Sequence, residues 1–133
     1  MVNDSFRHEQ QDENPCYLIG QVAKMTGASC KAIRYYEAAG VIPKPQRRGN
    51  YRVYSELDVF LIHMCKHGQT VGFSLTEIKQ LIDQRLKSRS FPLSFANSLF
   101  DKKKAELENQ IKELHKLETQ LEALREEMNR TYG

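Results

Sequence analysis

Two groups of residues in this 133-residue chain have the types and spacing to read a polyanion. Lys31 and Arg34 stand three apart in the run Ser29-Cys-Lys-Ala-Ile-Arg-Tyr-Tyr-Glu-Ala-Ala-Gly40, so on a helix they share one face while Ala32 and Ile33 fall on another that can pack. Shortly after come Arg47-Arg48-Gly49-Asn50-Tyr51-Arg52-Val53-Tyr54, two basic, aromatic-bearing arms around Gly-Asn. A Lys and an Arg on one helix face also describe plain solvated charge. The choice between the two readings rests on the elements that hold these side chains.

Ser29 suits an N-cap and Gly40 a C′ stop, with no Gly or Pro between them, so the spacing predicts a short helix. Upstream, Ile19-Gly-Gln-Val-Ala-Lys-Met-Thr26 carries apolar residues at Ile19, Val22 and Ala23, followed by the turn Gly27-Ala28. Helix, tight turn and helix give the pattern of a helix-turn-helix whose second helix enters the major groove. Downstream, Gly-Asn between β-prone arms signals a hairpin, and a basic hairpin beside a helix-turn-helix is a wing. Ser55-Glu-Leu-Asp58 and Ser74-Leu-Thr-Glu77 have the form of capping boxes. They predict helices to about Thr70 and about Ser88, the second with Leu75, Ile78, Leu81 and Ile82 on one face. Pro92 then marks a break. From there the chain runs to Arg130 without Gly or Pro. Leu107, Leu114, Leu121 and Met128 recur every seven residues, Leu117 and Leu124 follow three after their predecessors, and Ile111 is offset by one. This is a coiled-coil seam. A helix with one apolar stripe needs a partner, either its own domain or a second chain.

The residues Ile19-Gly-Gln-Val-Ala-Lys-Met-Thr-Gly-Ala-Ser29, Ala32-Ile-Arg-Tyr-Tyr-Glu37, Gly40-Val-Ile-Pro43, Asn50-Tyr-Arg-Val-Tyr54 and Gly72-Phe-Ser-Leu75, in this order and spacing, resemble the MerR family of bacterial transcription regulators. The resemblance covers roughly Tyr17 to Leu86. It implies a mostly α fold, with a winged helix-turn-helix domain over residues 16–90 and a dimerisation helix over 94–130 that pairs as an antiparallel coiled coil in the homodimer. Residues 1–15 are read as a flexible tail. Carried over by position, Lys31 and Arg34 are expected at or near base edges, where both can donate to guanine O6 and N7. Tyr36, and in second place Tyr35, are expected to reach phosphate, although a second Tyr here could instead be core. Arg47, Tyr51 and Arg52 are expected to clamp the backbone, Tyr54 to pack under the wing, and Lys66 to meet a phosphate. The resemblance further implies a pseudo-palindromic operator in a promoter spacer, distorted so that RNA polymerase can engage, the polymerase being reached indirectly through the promoter.

Charge supports this division of the chain. Between Tyr17 and Gly68 eight basic residues face three acidic ones, whereas from Asp101 onward seven basic residues accompany eight acidic. The positive field belongs to the N-terminal half. No run reaches the roughly 18 apolar residues of a membrane span, and the polar first 14 residues have no secretory pattern. A cytoplasmic protein without membrane contact is expected. Cys16, Cys30 and Cys65 are too widely spaced for a secreted disulfide framework. Cys65 sits in an apolar run and reads as core. Cys30, at a helix start that favours thiolate, is the better of two possible redox positions, Cys65 being the other. His63 and His67 lie four apart but form only a pair, which is short of a metal site.

The signal such a regulator answers to is open at this level. From Gln84 onward there is no Cys and one His, His115, so the soft-metal site of metal-sensing members is not expected, and no metal or other cofactor is. The three residues after Arg130 are expected to leave no room for an appended ligand domain. A thiol or aldehyde sensor, a small ligand at the dimer interface, or no effector remain. No phosphate-binding glycine loop and no recognisable nucleophile–base pair points to an enzyme. An effector-independent repressor, or an architectural or excisionase-like protein, could use the same winged helix, whereas an adaptor working through its coiled coil would survive loss of Arg34.

Overall fold

The computed structural model describes residues 16–133; the expected N-terminal tail, residues 1–15, lies outside them. Along the chain come α1 (Ile19–Thr26), α2 (Cys30–Ala38), β1 (Gln46–Arg48), β2 (Tyr51–Val53), α3 (Glu56–Thr70), α4 (Leu75–Ser88) and α5 (Leu93–Tyr132). The described residues are mostly helical and divide into two compact units, the first ending at Pro92 and the second starting at Leu93.

Local chemistry sets most boundaries in the first unit. At the start of α1 the Leu18 N–H donates to Gln21 Oε1 at 2.8 Å, and the helix closes on Gly27, whose φ of 82° is open to glycine without a Cβ penalty. Thr26 fastens the turn: its hydroxyl donates to the Val22 carbonyl and accepts from the Ala28 N–H. Ser29 Oγ then accepts the Ala32 N–H at 3.0 Å and starts α2. Ser55 with Asp58, and Ser74 with Glu77, form the two reciprocal capping boxes.

Strands β1 and β2 pair antiparallel with Gln46 opposite Val53, Arg47 opposite Arg52 and Arg48 opposite Tyr51. The two-residue turn has Gly49 at φ 63°, while Asn50 keeps a negative φ, the arrangement of a type II′ hairpin. Tyr17 and Tyr54 exchange both backbone hydrogen bonds at 2.8 Å, tying the chain ahead of α1 to the base of the hairpin. The Tyr17 hydroxyl also donates to Glu56, which is buried at the start of α3.

The core of this unit collects Val22 from α1, Ile33 and Tyr36 from α2, Tyr54, then Val59, Leu61, Ile62 and Cys65 from α3 and Ile78 and Ile82 from α4. Gly68 lets α3 and α4 approach closely, since a Cβ there would stand 2.9 Å from Ile78 Cδ1. The second unit is α5, 40 residues or about 60 Å long. Leu107, Ile111, Leu114 and Leu117, then Leu121, Leu124 and Met128, are all exposed, from 44% at Leu107 to 62% at Leu114. Ion pairs such as Lys116 with Glu113 and Arg125 with Glu122 occupy its polar faces. No helix among the described residues is long and apolar enough to cross a membrane.

Candidate nucleic-acid interface

Helix α2 turns Ile33 and Tyr36 into the core and leaves Lys31, Arg34 and Tyr35 exposed on its outer side. Its basic residues are therefore presented together, one turn apart. Of the two tyrosines, Tyr35 is 59% exposed, whereas the Tyr36 ring is buried and its hydroxyl donates to Gln69 Oε1 at 2.9 Å. Burial, and in second place Cys65, push the Tyr36 hydroxyl above its usual pKa, so it remains a donor. The reason lies in the helical period, since Tyr36 is three residues after Ile33 and shares its inward face.

The wing projects Arg47, Arg48 and Tyr51 into solvent, Tyr51 at 68% exposure. Arg52 is only half-exposed because its Nε donates to Glu37 Oε1 at 2.9 Å. The Tyr54 hydroxyl, fully buried, donates to the other Glu37 oxygen at 3.4 Å. Burial, then the Glu37 charge, push the Tyr54 phenol up to about 12, and the hydrogen bond to Glu37 raises the Arg52 guanidinium further. Glu37 thus binds two wing residues to the end of α2. Sequence reasoning passed over it, because a carboxylate in a basic region gives no local sign of a partner 15 residues away.

An open cleft of roughly 530 Å³ lies between α1, α2 and the wing, where Lys24, Arg34 and Arg52 converge beside Gln21, Asn50 and Tyr51. Lys24, counted in the sequence only as charge, belongs to this cationic wall. On the other side of α2 a groove of about 500 Å³ is lined by Ser29, Tyr36, Lys66, Gln69 and Thr70. Lys66 is half-exposed there. A helix N-terminus and a lysine make a surface suited to a phosphate oxygen.

The cysteines separate by burial. Cys65 is fully enclosed, and burial raises its thiol to about 12, which disfavours the thiolate, the reactive form. Cys30 is partly exposed and Cys16 exposed. The His63 and His67 rings lie tilted by 41° with centroids 4.2 Å apart, and His67 Nε2 donates to the Thr26 carbonyl at 3.1 Å, holding α3 to the end of α1. Burial, then His67, lower the His63 pKa. Among the described residues no group of three or more His, Cys, Asp or Glu is placed to hold a metal.

Comparisons with known proteins agree with this fold. The family model for the MerR HTH family regulatory protein matches residues 17–85, and one described as "MerR, DNA binding" matches 61–124. The chain is 42% identical over 67 residues to the mercuric resistance operon regulatory protein of Bacillus cereus, a match spanning 50% of this chain and 51% of that protein. It is 35% identical over 109 residues to the transcriptional regulator CueR of Salmonella typhimurium, covering 81% of this chain and 78% of CueR. Among solved structures it is similar to the regulator PbrR691 of Ralstonia metallidurans in complex with lead(II), with a TM-score of 0.68, 30% identity and 82% and 85% of the two chains covered. A fold likeness at 22% identity and TM-score 0.59, over 77% of each chain, extends to HiNmlR, a regulator lacking the sensor domain and bound to promoter DNA.

Proposed function

This chain belongs to the MerR family of helix-turn-helix transcription regulators, and from that premise we propose that it grips a pseudo-palindromic operator in a promoter spacer as a homodimer and controls transcription by distorting the DNA. The observation that carries the reading is the joint presentation of Lys31, Arg34 and Tyr35 on one exposed face of α2, beside a wing bearing Arg47, Tyr51 and Arg52. Lys31 and Arg34 read base edges in the major groove. Arg47, Tyr51, Arg52 and Lys24 hold one stretch of backbone, and Lys66 holds another, with the exposed Tyr35 as a further phosphate contact, positioning without specifying. The α5 stripe from Leu107 to Met128 closes the dimer as a coiled coil, which places two recognition helices on half-sites separated by whole turns of DNA. In the cytoplasm, RNA polymerase meets this dimer through the promoter it deforms.

Several relatives carry metal-resistance names, but within residues 84–133 there is no thiolate to extend a soft-metal site of that kind. With Cys65 enclosed, Cys30 is the thiol on the recognition helix that an oxidant could reach. The test is a footprint of the protein on its own upstream intergenic DNA with polymerase present, under reducing and thiol-oxidising conditions. The proposal expects a protected pseudo-palindrome inside a long promoter spacer. Sequence-tolerant coating would favour an architectural protein. Protection unchanged by oxidation would remove the thiols and leave an effector-independent repressor or another ligand.

A further inference from the structure

Glu37 places a negative charge against Arg52, which shares a cleft with Lys24 and Arg34. It stands one helical turn after Arg34, and its side chain is 11% exposed. By charge alone it opposes DNA, because a carboxylate near a phosphate-facing cleft weakens the local positive field. Its contacts say otherwise. One oxygen accepts the Arg52 Nε–H at 2.9 Å and the other the Tyr54 hydroxyl at 3.4 Å, so a single carboxylate joins the recognition helix to strand β2. Using Nε for this bond leaves the two terminal nitrogens of the guanidinium free to turn outward. The same bond relieves the hairpin, where Arg47 and Arg52 sit directly opposite each other with like charge.

We propose that Glu37 is a positioning residue for DNA recognition: it aims the Arg52 guanidinium at a backbone phosphate and fixes the wing at a set distance from the base-reading face of α2. The inference rests on the DNA-binding reading above. It makes a prediction opposite in sign to plain electrostatics, since removing the negative charge weakens DNA binding instead of strengthening it.

The test measures binding of the full chain to a synthetic duplex of the footprinted sequence and to a scrambled duplex, across a salt series, with the thermal midpoint of each variant recorded. For Glu37→Gln the affinity should fall roughly three- to tenfold and the salt slope by about one. In an Arg52→Ala background the same change should bring no further loss, because the group it aims is gone. Unchanged or tighter binding by Glu37→Gln, with an unchanged slope, overturns the proposal. So does an equal loss in both backgrounds, which would place the effect in the fold and not in Arg52. Should Glu37→Gln fail to fold, Arg52→Lys tests the same bridge by keeping the charge and losing the Nε–H: a fall in slope of about one supports aiming, and an unchanged slope overturns it. Failure of the DNA-binding reading itself is distinct, because the wild-type protein would then bind neither duplex.

Discussion

Arg34 and Arg52 are both cationic and 18 positions apart, yet their surroundings assign them different work. Arg34 is exposed on α2, whereas Arg52 is held by Glu37. Arg34→Ala should cost about 1–3 kcal/mol of specific binding and relax sequence preference, while Arg52→Ala should weaken all sequences alike and flatten the salt dependence. Equal losses on operator and random DNA for both variants would remove that distinction. At Cys65 the expectation concerns reactivity: in the native protein it should stay unmodified by a water-soluble maleimide while Cys16 reacts, and label only on unfolding. Mass spectrometry of the labelled peptides decides this. Several residue-level assignments were open to the sequence. The apolar run around Cys65 already marks it as core, whereas the pair Tyr35 and Tyr36 leaves open which of the two packs inward. Glu37 and Lys24 were not legible in this way, because their roles depend on where the wing comes to lie.

Elements were read well where their limits are set by neighbours in sequence. The Ser29 cap, the two capping boxes and the Gly49-Asn50 turn each involve groups within three residues of one another, so the pattern in the chain is the structure in small. What binds elements to each other is of longer range. Tyr17 reaches Glu56 across 39 positions, and Tyr54 reaches Glu37 across 17. These ties carry a pH signature. The hydrogen bond to Glu56 first, then burial, push Tyr17 up to about 12, and burial first, then Glu37, does the same for Tyr54. An unfolded tyrosine ionises near 10, so between those values the unfolded chain releases protons that the folded one retains. The stabilisation is complete below about pH 10 and is lost as the pH rises toward 12. Denaturant melts across this range should show a steep fall in stability that Tyr17→Phe makes shallower; an unaltered slope in that variant would disprove the tie.

At the scale of the molecule, the exposed stripe on α5 is the feature a single chain leaves unresolved. Seven apolar side chains at coiled-coil spacing, each at least 44% exposed, stabilise nothing by themselves, and burying each is worth about 1.5–3 kcal/mol. A Leu114→Glu change in the middle of the stripe should therefore lower the dimer's stability by several kcal/mol and yield monomers in sedimentation. Binding to a full operator should then collapse to half-site affinity, with the thermal midpoint of the first unit little altered. A variant that remained dimeric would point to a different interface.

Taken by itself, the sequence determined what depends on short range: helix limits through caps and glycines, the turn of the wing, the heptad stripe, and the face of α2 that carries Lys31 and Arg34. It also carried enough of the motif pattern to place the chain in its family. The tertiary structure decided which tyrosine is core, that Cys65 is sealed, that Lys24 joins the cationic cleft, and that Glu37 holds Arg52. The physical reason is the same in each case. A side chain's burial, and the partner of a carboxylate, are set by elements that arrive from elsewhere in the chain, and no spacing within a single segment records that arrival.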